Sequence, residues 1–240
     1  MFLYHKILSY GTNVNGVVTG HFLGNNDLQF IILSGTSISL YSVIDGKEYN
    51  VVTQTLFGTG LVIQRLKLSD YFKDLIVLTS DSGCMSILWY SLESSSFQTI
   101  ANFQFGKPGC LLEVPGQYLA VNADNNLIAI GALGGEILVY SLEHSINYDT
   151  NEIQFVEKEP LRYSFANCII GSMKWCSSTV LACLCMDLVS KSKSVRFLSI
   201  SASSNSISIQ NTIDLPPQES HHITDLFFCT LLHTLSFSYF

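Results

Sequence analysis

The sequence predicts an all-β fold, and three observations carry that expectation. Helical periodicity is almost absent from the 240 residues, where short runs of Val, Ile, Leu, Phe and Tyr alternate with turn clusters. Tight-turn pairs stand between or after such runs at Asn15-Gly16, Asp45-Gly46 and Gly134-Gly135, each able to supply the positive φ of a two-residue hairpin. A two-run unit then recurs with a super-period, so that the aligned serines Ser42, Ser91, Ser141 and Ser199 lie 49, 50 and 58 residues apart.

The units run in order along the chain. The first pairs Gln29–Leu33 with Ser39–Val43, and the second pairs Leu75–Thr79 with Leu88–Leu92 across the turn Ser80-Asp81-Ser82-Gly83. The third pairs Leu127–Gly131 with Leu138–Leu142, and a looser fourth pairs Val180–Leu184 with Arg196–Ile200. One further apolar run closes each unit, at Tyr49–Phe57, Phe97–Phe105, Ile153–Glu157 and Ile207–Ile213. An uninterrupted apolar run followed by an alternating one suits a propeller blade, whose inner strands are covered on both faces and whose outer strand is half exposed. A sandwich would place strands at 8–12 residues without this longer period. The expectation is therefore a WD40-like β-propeller, incomplete, with about four blades of a ring that usually has about seven. Residues 1–213 form its N-terminal part, and residues 214–240 an atypical apolar tail. In the second unit Leu75, Val77, Ile87 and Trp89 are expected in the core, with Gly83 and Gly116 at turns where a Cβ would strain the backbone.

Composition narrows the function classes. Hydrophobic residues make up 48% of the chain, but charged ones only 13% against a usual value of about 25%, which argues against both a disordered chain and a charge-laced coiled coil. The net charge of −7 gives no electrostatic footprint for phosphates, so little or no direct nucleic-acid binding is expected. The residues Met1 to Lys6 show no secretory pattern. Ile223–Phe240 approaches the length of a membrane span, yet it carries Asp225, His233 and several hydroxyls without flanking basic residues, so a strand pair or an anomalous chain end is expected, and no membrane partner. The seven cysteines, at 84, 110, 168, 176, 183, 185 and 229, read as small buried apolar side chains.

No constellation of catalytic, cofactor-binding or metal-ligating residues is visible, and none is assigned. Cys183-Leu184-Cys185 places two thiols on one strand face, but no second Cys or His pair follows at zinc spacing. The histidines at 5, 21, 144, 221, 222 and 233 are scattered, and His221-His222 would point to opposite faces of a strand. Gly58-Thr59-Gly60 is followed by Ile63 and a strand rather than by a dinucleotide loop and helix. Gly106-Lys107-Pro108-Gly109 lacks the Gly-Lys-Ser/Thr ending, and Pro108 removes a backbone donor. The expected class is a non-enzyme without a cofactor.

Phe105-Gly106-Lys107-Pro108-Gly109-Cys110, followed by Val114-Pro115-Gly116-Gln117-Tyr118-Leu119-Ala120-Val121, resembles a signature of the splicing factor 3b subunit 3 family, first propeller. Its superfamily includes the large cleavage-and-polyadenylation subunit and damaged-DNA-binding protein 1. Met1-Phe2-Leu3-Tyr4, Ser80-Asp81-Ser82-Gly83, Leu138-Val139-Tyr140, Leu181-Ala182-Cys183-Leu184 and Met186-Asp187 agree in order, so the resemblance covers roughly residues 1–200. The chain departs from the family at Leu111-Leu112, where two arginines are usual, at Asn122, where Asp is usual, and at Asn125-Asn126, where Gly-Arg is usual. Val14-Asn15-Gly16 and Val18-Thr19-Gly20-His21-Phe22 look more like the damaged-DNA-binding paralogue.

The resemblance implies a nuclear, non-catalytic protein-interaction scaffold. Such a subunit clasps other splicing factor 3b subunits, especially a helical-repeat one, in the particle that recognises the branch site during pre-mRNA splicing. The alternative it implies is an adaptor of the damaged-DNA-binding, cullin ubiquitin-ligase type.

Overall fold

A computed structural model describes residues 13–106, 116–122, 124–132, 134–147, 152–156, 158–201 and 205–216, together with the backbone of two strands within 223–239. Met1 to Tyr4, most of the 105–121 signature and the histidines at 5, 221, 222 and 233 lie outside the described residues. Every regular element described is a strand.

Blade one is an antiparallel meander of β1 (Val14–Gly20), β2 (Leu28–Ser34), β3 (Ser37–Ile44) and β4 (Lys47–Thr55). Blade two repeats it with β5 (Gly60–Leu66), β6 (Leu75–Ser80), β7 (Cys84–Ser91) and β8 (Ser96–Gln104). Blade three has β9 (Tyr118–Asn122), β10 (Leu127–Gly131) and β11 (Glu136–Ser141), then a two-stranded hairpin of β12 (Glu143–Asn147) and β13 (Glu152–Val156), before β14 (Leu161–Ser164) closes its sheet. Blade four comprises β15 (Cys168–Trp175), β16 (Val180–Asp187), β17 (Lys193–Ser201) and β18 (Ser206–Asp214). The first strands β1, β5, β9 and β15 stand beside one another in that order. A last pair, β19 (Ile223–Cys229) and β20 (Thr234–Tyr239), is antiparallel, and β19 runs next to β15.

The period-2 alternation of each second strand explains how the blades stack. In β6, Ile76 and Leu78 face Ile31, Leu33, Ile38 and Leu40 of blade one. Leu75 and Val77 point the other way, toward Leu119, Ile128, Ile130 and Leu138 of blade three. In turn Ala129, Ile137 and Val139 pack on Leu181, Cys183, Cys185 and Leu198 of blade four. A strand covered on both faces needs apolar residues at every position, which is why β6 and β10 are buried throughout and read as continuous apolar runs. β2 instead alternates buried with half-buried positions, because blade two covers only one of its faces. On the other face Phe30 and Tyr41 stack at 5.0 Å between centroids.

Three expectations are corrected. Asn15-Gly16 is not a hairpin turn: it sits inside β1 at a bulge, where Gly16 approaches Ile63 and Asn15 Oδ1 accepts a hydrogen bond from Gly35 N. The Ile153–Glu157 run is not the outer strand of blade three: residues 152–156 form the inserted hairpin, and β14 takes the edge of the sheet. Trp89 is only partly buried: it packs against the margin of the core cluster, with the Lys73 ammonium over its ring.

The turn at Asp45-Gly46 has φ of 52° and 73°, the two-residue hairpin geometry its sequence predicts. Gly83 and Gly116 have φ of 77° and 132°, so both sit where a side chain strains the backbone. We expect Gly83→Val and Gly116→Val each to destabilise the chain by about 1–3 kcal/mol, read as a lower urea midpoint at unchanged slope.

Candidate interaction surface

The described residues contain no group of three or more His, Cys, Asp or Glu able to hold a metal ion. Cys183 and Cys185 lie on one face of β16 as the alternation requires, packed in the core between blades three and four. Burial raises the Cys183 thiol well above its ordinary value and pushes Cys185 up to about 12, so both stay protonated and act as small apolar groups. Cys168 is buried with them, whereas Cys84 and Cys176 are half-buried, and Cys84 Sγ donates to Gln104 Oε1 at 2.8 Å. Gly58-Thr59-Gly60 is the link between blades one and two. His21 and His144 both meet the loop between β5 and β6, the first through its backbone at Asp74 and the second through its ring at Asp70.

What the polar side chains build is a set of junctions between blades. Gln64 on β5 lays its amide along β9, where Nε2 donates to Leu119 O at 2.6 Å and Oε1 accepts from Val121 N at 3.0 Å. Gln54 on β4 does the same to Phe97 on β8, at 3.1 and 2.8 Å. Each glutamine thereby supplies one donor and one acceptor where a neighbouring strand would have supplied them. Thr79 Oγ1 donates to Gly116 O, and Trp175 Nε1 donates to Ala120 O, joining the second, third and fourth blades. At the third-to-fourth junction Asn122 Nδ2 reaches both Ser177 O and Ser178 O, and Asn125 Nδ2 also donates to Ser178 O. The departures from the family pattern at Asn122 and Asn125 thus have a local reason: both amides donate to carbonyls, which a carboxylate or a glycine cannot do.

The inserted hairpin is tied down in the same manner. His144 Nε2 lies 3.0 and 3.1 Å from the two carboxylate oxygens of Asp70, which belongs to the β5–β6 loop of blade two. That hydrogen bond holds the Asp70 carboxyl below its usual range. Nearby, Lys73 sits with Nζ 5.3 Å from the ring centroids of both Phe72 and Trp89, and burial lowers its pKa.

In a four-stranded meander the second-to-third turn and the link to the next blade emerge at one end, and at this end Phe57 is presented. It is 98% exposed, on the loop between β4 and β5. The backbone on either side is pinned: Leu56 N donates to Thr36 O, Gly60 N to Gly35 O, and Thr59 N to Asp81 Oδ1 at 2.7 Å. Asp81 N returns a hydrogen bond to Thr59 O. Beside Phe57 opens a cleft of about 580 Å³ between blades one and two, lined by Leu78, Leu88 and Phe97 at its floor and by serine, threonine, asparagine and glutamine side chains above. Among the described residues, no histidine, lysine, arginine or carboxylate lines it. The arrangement offers shape, neutral hydrogen bonding and one held aromatic ring.

The chain matches the family described as "RSE1/DDB1/CPSF1 first beta-propeller" over residues 13–227, so the likeness extends past residue 200. It is 33% identical over 174 residues, 72% of the chain, to the probable splicing factor 3B subunit 3 of Dictyostelium discoideum. To splicing factor 3B subunit 3 of Danio rerio it is 31% identical over 193 residues, 78% of the chain. To the pre-mRNA-splicing factor rse1 of Neurospora crassa it is 33% identical over 147 residues, 60% of the chain. These alignments span only 14%, 15% and 12% of the three relatives, so the chain is similar to a small part of each. Four stacked antiparallel blades and a family match spanning all of them lead to one assignment: the chain belongs to the RSE1/DDB1/CPSF1 first β-propeller family.

Proposed function

We propose that the chain is a non-catalytic interaction scaffold in pre-mRNA splicing, acting in the nucleus as a subunit of the splicing factor 3b complex. The observation that carries this reading is the likeness to splicing factor 3B subunit 3, at 31–33% identity over as much as 78% of the chain. The physical character of the described surface agrees with it. Polar side chains are spent on joining blades, and the described lining of the cleft between blades one and two is uncharged. The partners are other splicing factor 3b subunits, above all one built of helical repeats, in the particle that recognises the branch site. With a net charge of −7, contact with RNA is made by those partners rather than by this chain. Residues 1–213 serve as the scaffold proper, and residues 214–240 as a tail laid beside blade four.

The family also contains a damaged-DNA-binding branch, and Val14-Asn15-Gly16 and Val18-Thr19-Gly20-His21-Phe22 resemble that branch more closely, which keeps a cullin-type adaptor as the second reading. Affinity purification of the tagged chain from nuclei, followed by mass spectrometry, separates the two. Recovery of splicing factor 3b proteins is the expected result; recovery of a cullin and its ligase components in their place would move the chain to the second reading.

A further inference from the structure

We propose that the cleft between blades one and two, with Phe57 at its mouth, is a docking groove for an extended, uncharged peptide segment of a partner protein. The inference rests on the scaffold reading above and names the surface that such a scaffold would use. Its first support is the presentation of Phe57. A phenylalanine left 98% in water costs solubility, and a mobile loop could tuck it away, but here Gly35 and Thr36 of the β2–β3 turn, together with Asp81, hold its loop in place. Gly58, at φ +98°, is part of that restraint, since a Cβ there would meet Asp81 Oδ1 at 2.6 Å. The Ser80-Asp81-Ser82-Gly83 turn thus acts as the clamp that aims Phe57 outward. An aromatic ring fixed before binding loses little entropy on contact, which is the property of an interface anchor.

The second support is the chemistry beside the ring. From the apolar floor at Leu78, Leu88 and Phe97, the wall of blade two rises through Ser82, Ser86, Asn102 and Gln104. These side chains are neutral and carry both donors and acceptors. Ser86 Oγ donates to Asn102 Oδ1, so the ladder is already ordered. Burying a charged side chain in this cleft would leave it without a counter-charge, whereas backbone amides and Ser, Asn or Gln side chains find partners. Among the described lining residues a phosphate backbone meets no cation, which favours a peptide over a nucleic acid. The occupant is therefore a strand-like stretch free of Asp, Glu, Lys and Arg, with one apolar residue packed against Phe57.

Panning a phage library of random dodecapeptides against the full chain, captured at low density, provides the probe. Enriched peptides are resynthesised and their affinities measured by fluorescence anisotropy. The proposal expects peptides poor in charged residues, whose binding falls about tenfold or more on Phe57→Ala. Thr99→Arg, which places a cation in the cleft, should weaken the same peptides. Both positions are exposed, so both variants should keep the parental unfolding transition. A library that yields no binder, binders indifferent to both substitutions, or binders rich in charge would overturn the docking groove. Such an outcome leaves co-purification with splicing factor 3b proteins unaffected, whereas loss of that co-purification with peptide binding intact would overturn the scaffold's assignment to splicing alone.

Discussion

Gly135→Val should unfold the chain or bring it close to unfolding, with a loss of about 3 kcal/mol or more. Gly135 sits at φ +82° in the turn between the second and third strands of blade three. A Cβ there would lie 2.8 Å from Cys168 O and 2.9 Å from Phe165 O. Both obstacles are backbone, so no rotamer change can relieve them. The same carbonyl-lined corner is where Phe165 N donates to Gly135 O, tying the outer end of blade three to the start of blade four. Pushing the corner apart would therefore cost the turn, that hydrogen bond and the packing between Phe165 and its cluster together. Gly46→Val is the comparison: at φ +73° with nothing within 4 Å of its Cβ, it meets only the backbone strain, and should lose about 1–2 kcal/mol. Urea unfolding of the two variants side by side separates the steric part from the conformational part. Equal losses would show that the corner at Phe165 and Cys168 yields freely.

Asn122→Asp is expected to cost about 3 kcal/mol at neutral pH, although it removes no volume. Asn122 is buried, and its Nδ2 donates to Ser177 O at 3.1 Å and Ser178 O at 2.9 Å, while its Oδ1 accepts from Asp124 N at 3.2 Å. A carboxylate in that place turns two donations into two contacts between oxygen lone pairs. The ionised form is then disfavoured in the fold, so the folded pKa of the new carboxyl rises above its unfolded value of about 3.9. For an acid raised in this way the penalty is full above the folded pKa, and shrinks as pH falls toward the unfolded one. The variant should therefore regain part of its deficit relative to the parent in mildly acidic buffer, where the protonated carboxyl can donate one of the two lost bonds. Thermal unfolding of both chains across that range tests the sign. A deficit that does not change with pH would place its cause in packing rather than in charge.

How far the sequence speaks for the fold depends on which strand is considered. The second strands of blades two and three were legible because burial on both faces demands consecutive apolar residues, as in Leu75–Ser80 and Leu127–Gly131. The first strands were not. Gly60–Leu66 carries Gln64 and Arg65, and Tyr118–Asn122 ends in Asn122, because these strands divide their side chains between the core, at Leu66 and Leu119, and hydrogen bonds to neighbouring blades. Gln64 meets β9 55 to 57 residues away, and Asn122 meets its carbonyls 55 and 56 residues away, so no local pattern announces either contact. The Asn15-Gly16 pair misled because its turn chemistry is used for a bulge, which needs the close approach to Ile63 more than a reversal of direction. The candidate surface was legible only in part. Ser80-Asp81-Ser82-Gly83 stood out as a motif, but its hold on the Phe57 loop appears only when the two blades are brought together.

Among the described residues, the blades pack extensively on the blade before and the blade after, and the glutamine and asparagine junctions lie at those boundaries. Such an arrangement behaves as a row of coupled units, whose resistance to opening depends on how many neighbours each unit has. Amide protons of β6 and β10, flanked on both sides, should exchange with deuterium most slowly. Those of β2 should exchange faster by the free energy of one missing boundary, even though its ladder to β1 and β3 is just as regular. The described strands of blade one would then open before those of blades two and three, which are the last to let go.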